Sequence, residues 1–206
     1  MDSKRTATPA YEVPENSVDP YDMPTDMTKP QLESWILFGI MVAGKTADPT
    51  WVKLRNVLVD LPGQTPFQKI NGAIADGSLL RKLKKHKTGK YMLTNKGFRE
   101  AVKLDLDRIT IDKLEAVHGI GMKTARMILL YYIPGLDLVP LDTHILKFLR
   151  TLGLEAPKAT PGNRKLYLQL EAAFVAEAKR QGKTTRALDT EVWKYYANKP
   201  TAERRG

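Results

Sequence analysis

The sequence predicts an all-α protein. No stretch of useful length alternates apolar and polar residues as a half-buried strand does. Apolar residues recur instead at helical spacing through most of the chain, with Thr, Asp, Asn, Pro and Gly standing where helices start and stop. With 206 residues and 42% apolar content, the chain can bury one substantial core or two small lobes sharing a cleft.

Residues 1–29 read as a tail, disordered or extended on the body, because five prolines among the first thirty residues and no apolar periodicity leave too little to offset ordering entropy. Gln31 to Thr46 is apolar around nearly a whole helical circumference, through Trp35, Ile36, Leu37, Phe38, Ile40, Met41 and Val42, which predicts a central buried helix. A second helix runs from about Pro49, suited to a first turn, to Leu61, where Pro62-Gly63 stops it. Thr65-Pro66-Phe67 caps a short helix through Ile70 and Ile74 to Gly77. Helical spacing resumes from Tyr91 to Leu104, and Thr110 or Asp112 caps a short helix ending at His118. Met122 to Ile133 is a core helix ended by Pro134-Gly135. Leu138 to Leu141 is an extended connector, and Asp142 stands at the N-cap of the next helix, which runs to Gly153. Asn163–Arg180 and Thr185–Ala197 complete the series, and a polar end follows.

Charge narrows the partners. Thirty-three Lys plus Arg against twenty-three Asp plus Glu give +10, yet the first thirty residues carry −3, so the remainder carries +13. That excess suits a polyanion such as nucleic acid. Arg81 to Lys90 holds seven basic residues in ten, His86 among them, and reads equally as an exposed helix end or a phosphate-tracking loop. Cysteine is absent, which excludes disulfides, a thiolate nucleophile, cysteine-ligated zinc and iron–sulfur clusters. No apolar run approaches ~20 residues and no signal core opens the chain, so no membrane span is expected and the protein is placed inside the cell, in cytoplasm, nucleoid or nucleus.

The chemistry concentrates between Leu114 and Gly153. Gly119-Ile120-Gly121 joins two helical patterns abruptly, the task of glycine at positive φ, and turns the N–H groups at the start of the second helix outward as a phosphate grip. Lys123 falls in the first turn of that helix, where the dipole and partial burial disfavour an ammonium and favour a nucleophilic amine. Alone, it would read as a phosphate contact. Asp142, nineteen positions on, is held as a carboxylate by its own helix N-terminus and could stabilise an oxocarbenium-like sugar cation. Alone, it would read as a simple N-cap.

Val117-His118-Gly119-Ile120-Gly121-Met122-Lys123-Thr124-Ala125 followed by Pro140-Leu141-Asp142-Thr143-His144-Ile145 resembles the helix-hairpin-helix DNA glycosylase superfamily, the group of endonuclease III and 8-oxoguanine glycosylase. By that resemblance Lys123 matches the lyase lysine and Asp142 the catalytic aspartate. Upstream, Val42 to Asp48 is similar to a segment whose glutamine fills the space left by an extruded base, with Lys45 at that place. Thr88-Gly89-Lys90-Tyr91 resembles the loop that probes the opposite strand, with Lys90 in place of an apolar plug. His118 replaces the hairpin proline, and the family's four-cysteine cluster is missing.

The resemblance implies two helical lobes, residues 30–137 with the hairpin and 138–206 with Asp142 at its start, flanking a cleft that receives a flipped base. It implies a monomeric DNA N-glycosylase with AP-lyase activity acting on double-stranded DNA that carries a damaged or modified base. DNA contacts are expected from Gly119, Ile120, Gly121, Met122, Lys45, Lys87, Gly89 and Lys90, and Lys45, Tyr91, His144 and Trp193 are candidates for the base pocket. No cofactor is expected beyond a monovalent cation that the hairpin could hold. The alternatives are a non-catalytic or repurposed DNA-binding protein of the same fold, and a monofunctional or base-modifying relative.

Overall fold

The computed structural model describes residues 26–197, and among them every regular element is a helix. The tail reading of residues 1–25 and the polar end at 198–206 lie outside the described residues. Of the tail expected through residue 29 the described part is short: Met27 is buried, Thr28 is extended and caps the first helix, and the helix starts at Lys29.

Helix α1 (Lys29–Val42) starts two residues before the apolar pattern does. Thr28 and Gln31 close a reciprocal capping box, with the Gln31 carbonyl oxygen accepting from the Thr28 N–H at 2.8 Å. From Ser34 to Met41 every residue is buried, as the all-round apolar pattern requires of a central helix. Around α1 pack α2 (Ala47–Val59), α3 (Pro66–Ala75, with a second capping box from Thr65 and Gln68), α5 (Tyr91–Ala101) and α7 (Met122–Tyr132). Between them lie α4 (Leu79–Lys85), a 3-10 turn at Leu106–Arg108 that no pattern predicted, and α6 (Ile111–Glu115). Thr110, not Asp112, caps α6, and α6 ends before His118 because residues 116–121 make the turn into α7.

These elements share one apolar core that includes Leu37, Leu54, Ile70, Phe98, Leu114 and Ile128. A second core begins at Val139 and is built by α8 (Thr143–Thr151), α9 (Arg164–Arg180) and α10 (Thr185–Ala197), around Leu146, Tyr167 and Phe174. The change of core falls between Leu138 and Val139.

A buried polar network joins the two cores. Arg126 on α7 is 2% exposed. Its Nε donates to Glu171 of α9 at 2.8 Å and its Nη1 to Glu115 of α6 at 3.2 Å. The guanidinium lies 4.6 Å over the Tyr167 ring. Glu171 also accepts the Val139 N–H at 2.8 Å, while the Tyr167 hydroxyl donates to the Val139 carbonyl at 2.8 Å and accepts from the Leu141 N–H at 3.1 Å. The connector that delivers Asp142 is therefore fixed through its backbone, by side chains that also hold α7.

Candidate active site

Lys123 sits in the first turn of α7, half-buried. Its helix is set by close approach on two sides. A Cβ on Gly39 of α1 would stand 2.9 Å from Thr124 Cγ2. A Cβ on Gly97 of α5 would stand 2.4 Å from the His118 carbonyl oxygen, so only glycine lets α5 lie against the 116–121 turn. Within that turn Gly119 has φ +94°, as expected, whereas Gly121 has φ −103° and needs no glycine for its own conformation. A Cβ at Gly121 would meet no protein atom, and no side chain caps the helix there. Ile120 differs from its neighbours in this turn, since its side chain is buried and its N–H donates to the Val117 carbonyl at 3.0 Å. His118 donates its backbone N–H to Glu100 Oε2 at 2.6 Å, a bond that a proline at this position could not make.

Asp142 is the N-cap of α8, half-buried, with Oδ1 accepting the N–H groups of His144 at 2.8 Å and Ile145 at 2.9 Å. Both cap bonds fall on Oδ1, so Oδ2 takes no part in the cap.

A further buried ionisable group escaped the sequence reading. Asp189 on α10 is 5% exposed, and its Oδ2 accepts from the Tyr131 hydroxyl at 2.7 Å. Its carboxyl is raised to about 7, chiefly by burial and also by the charge of Asp142, against the Tyr131 hydrogen bond and the charge of Lys123, which pull it down. The only signal available in the sequence was an acid on the otherwise apolar face that Leu188, Val192 and Tyr196 turn into the second core.

Lys45 and Lys90 do not project as wedges. Each reaches across to the other's loop: the Lys45 ammonium donates to the Thr88 carbonyl at 2.7 Å and the Lys90 ammonium to the Ala43 carbonyl at 2.8 Å. Gly44 and Gly89, at φ +69° and +70°, make the two turns that allow this, with Lys90 itself left-handed at φ 45°. Burial lowers the Lys45 ammonium, and the like charges of Lys90 and Lys53 lower it further. Part of the Arg81–Lys90 run is ion-paired to a single carboxylate. Asp60, at the C-terminal end of α2, pairs with Lys85 at 2.8 Å, His86 at 2.9 Å and Lys82 at 3.2 Å, which holds its carboxyl well below the usual range. Lys87 remains exposed, at φ 50°.

The base-pocket candidates separate. His144 stacks on Tyr196 with ring centroids 5.8 Å apart, beside the exposed Tyr195, and the Lys147 ammonium lies 5.6 Å over the Tyr196 ring. Trp193 is half-buried one turn after Asp189. Tyr91 packs on the first core, and Lys45 belongs to the crossed-lysine loops. Two surface hollows of about 390 and 500 Å³ lie elsewhere, around Asp137 and Lys179, and neither is lined by Lys123, Asp142 or Asp189. Among the described residues no group of three His, Asp or Glu could hold a metal ion, and no helix is long and apolar enough to cross a membrane. No family model, curated protein or solved structure matches the chain.

Proposed function

We propose that the chain is a helix-hairpin-helix DNA N-glycosylase with AP-lyase activity, its two cores being two lobes that flank a cleft for an extruded base. What supports this reading is that Lys123 stands in the first turn of α7, which no side chain caps, while Asp142, nineteen residues on, caps α8 in the second core. A base inside duplex DNA hides its glycosidic bond, so the nucleotide must first leave the stack. The Lys123 nitrogen then attacks C1′ as the bond to the base breaks and the electron pair leaves with the base. Ring opening gives a Schiff base, and β-elimination follows at the 3′ phosphate. The Asp142 carboxylate, fixed by two N–H donors through Oδ1, faces the cationic sugar of the transition state with Oδ2.

The same assignment makes the uncapped start of α7 at Gly121 and Met122 a backbone phosphate contact, and the crossed Lys45 and Lys90 with Lys87 and Gly89 a second one. The partner is double-stranded DNA with a damaged or modified base, bound by a monomer.

Incubation with a duplex containing one abasic site tests this directly. Nicking by the wild type that disappears in Lys123→Gln is expected. Bound but intact DNA would instead select a non-catalytic binder, and release of free base from a lesion duplex without a nick would select a monofunctional enzyme. Asp142→Asn should lose base excision while duplex affinity stays within about threefold.

A further inference from the structure

The C-terminal end of α10 carries a surface that the steps above leave without a task. Leu188, Val192 and Tyr196 turn one face of that helix into the second core, and Tyr195 stands off it, 59% exposed. Among the described residues it is the one aromatic side chain exposed to that degree. A single exposed tyrosine needs no explanation, but its contacts set this one apart. Its ring meets Tyr196 edge-on, with centroids 5.0 Å apart and planes at 80°, which fixes its tilt. Tyr196 is stacked in turn on His144 of α8, with planes 1° apart, and the Lys147 ammonium lies 5.6 Å over its ring. Lys194, next to Tyr195, is exposed. The same His144 donates its backbone N–H to Asp142 Oδ1 at 2.8 Å. Contacts thus run unbroken from the Asp142 cap through His144 and Tyr196 to the exposed ring.

We propose that Tyr195 is a stacking platform for an unpaired DNA base, with Lys147 and Lys194 beside it as cations for the backbone that carries that base. Every base has a π-face, so an exposed ring among lysines takes unpaired bases with little regard to sequence. The ring is already held by Tyr196, so little freedom is lost when a base lies on it. The lysines argue against an apolar protein surface as the occupant, because lysine is depleted where proteins meet. They suit a phosphate chain, as does the +13 carried by the sequence after its first thirty residues. Since the platform adjoins the Asp142 cap, the base it holds is the neighbour of the extruded nucleotide. That placement rests on the glycosylase function proposed above; stacking on a single strand does not.

The test compares two labelled single strands by fluorescence anisotropy: an oligothymidylate of about twelve nucleotides, and a strand of equal length built from tetrahydrofuran residues that carry no bases. Phosphates are the same in both, so a difference in Kd reports the bases. The wild type should bind the thymidylate at least about fivefold more tightly than the baseless strand. Tyr195→Ala should lose that preference, through weaker binding of the thymidylate with the baseless strand unchanged. Tyr195→Phe and Tyr195→Trp keep an aromatic face and should keep the preference. Equal wild-type affinity for the two strands, or a wild-type preference in Tyr195→Ala, overturns the proposal. So does a dimer, seen by sedimentation at the same concentrations, that Tyr195→Ala abolishes, because the occupant is then a second copy of the chain. Nicking of an abasic duplex, measured alongside, separates the two readings. Nicking without a preference for bases overturns the platform and leaves the lyase function standing, whereas a preference without nicking overturns the lyase function and leaves the platform.

Discussion

Replacing Glu171 by Leu should destabilise the protein by about 3–5 kcal/mol, the loss typical of breaking a buried ion pair from one side. Two consequences of the substitution add up to it. The Arg126 guanidinium, 2% exposed, loses its nearest carboxylate, at 2.8 Å. The Val139 N–H loses its acceptor, also at 2.8 Å, in a residue with no solvent exposure. An unpaired buried donor alone costs ~1–3 kcal/mol. For a protein of this size each kcal/mol lowers Tm by roughly 2–4 °C, so a fall of about 6–20 °C is expected. Urea titration and thermal melting followed by circular dichroism measure both. Arg126→Leu combined with Glu171→Leu should cost less than the two singles together, by ~1–3 kcal/mol, because the guanidinium that has lost its nearer carboxylate goes with it. Because Glu171 and Tyr167 hold the connector backbone, excision by Glu171→Leu below its melting temperature should also fall by at least about tenfold through displacement of Asp142. A loss of less than about 1 kcal/mol, with additive mutants, would refute the view that this network sets the position of Asp142.

Further consequences can be checked separately. Gly97→Ala pushes a methyl into the His118 carbonyl and should cost about 1–3 kcal/mol, whereas Gly121→Ala, which meets no protein atom, should stay within ~0.5 kcal/mol by the same melts. Lys45→Ala and Lys90→Ala should each weaken duplex binding and lower the salt slope of log Kd by about 0.9, so an unchanged slope would remove these lysines from the DNA interface. Asp189 makes stability pH-dependent. Its folded carboxyl is raised to about 7 above its unfolded value, so its favourable contribution is complete below about pH 4 and declines to nothing as pH rises through 7. Asp189→Asn should therefore gain roughly 2–4 kcal/mol on the wild type between about pH 5 and 8 in urea midpoints, and an equal pH response in both proteins would contradict that burial effect.

The helices were legible where local chemistry decides them. Thr65, Asp142 and Asn163 cap where their short polar side chains predict, and the all-round apolar run at residues 34–41 became the central helix. The first-turn position of Lys123 and the N-cap position of Asp142 were legible because a turn, a helix start and a cap are short-range signals. What escaped was long-range pairing. Arg126 meets Glu171 across 45 residues and Tyr131 meets Asp189 across 58, distances over which spacing carries no information. A lone arginine inside an apolar helix does announce a buried carboxylate partner, but it cannot say which one. The same limit applies to the basic run, since Asp60 pairs with Lys82, Lys85 and His86 from the end of another helix. It applies again to Lys45 and Lys90, whose crossed bonds to each other's loops follow from two glycine turns brought together only by the fold.

The central claim is that the Lys123 nitrogen becomes covalently joined to the DNA sugar. Peptide mapping by mass spectrometry of the borohydride-reduced adduct with abasic DNA measures that bond. The sugar-derived mass should appear on the peptide containing Lys123 and nowhere else. Its appearance on Lys45, Lys90 or another lysine, or the absence of any adduct, would contradict the account.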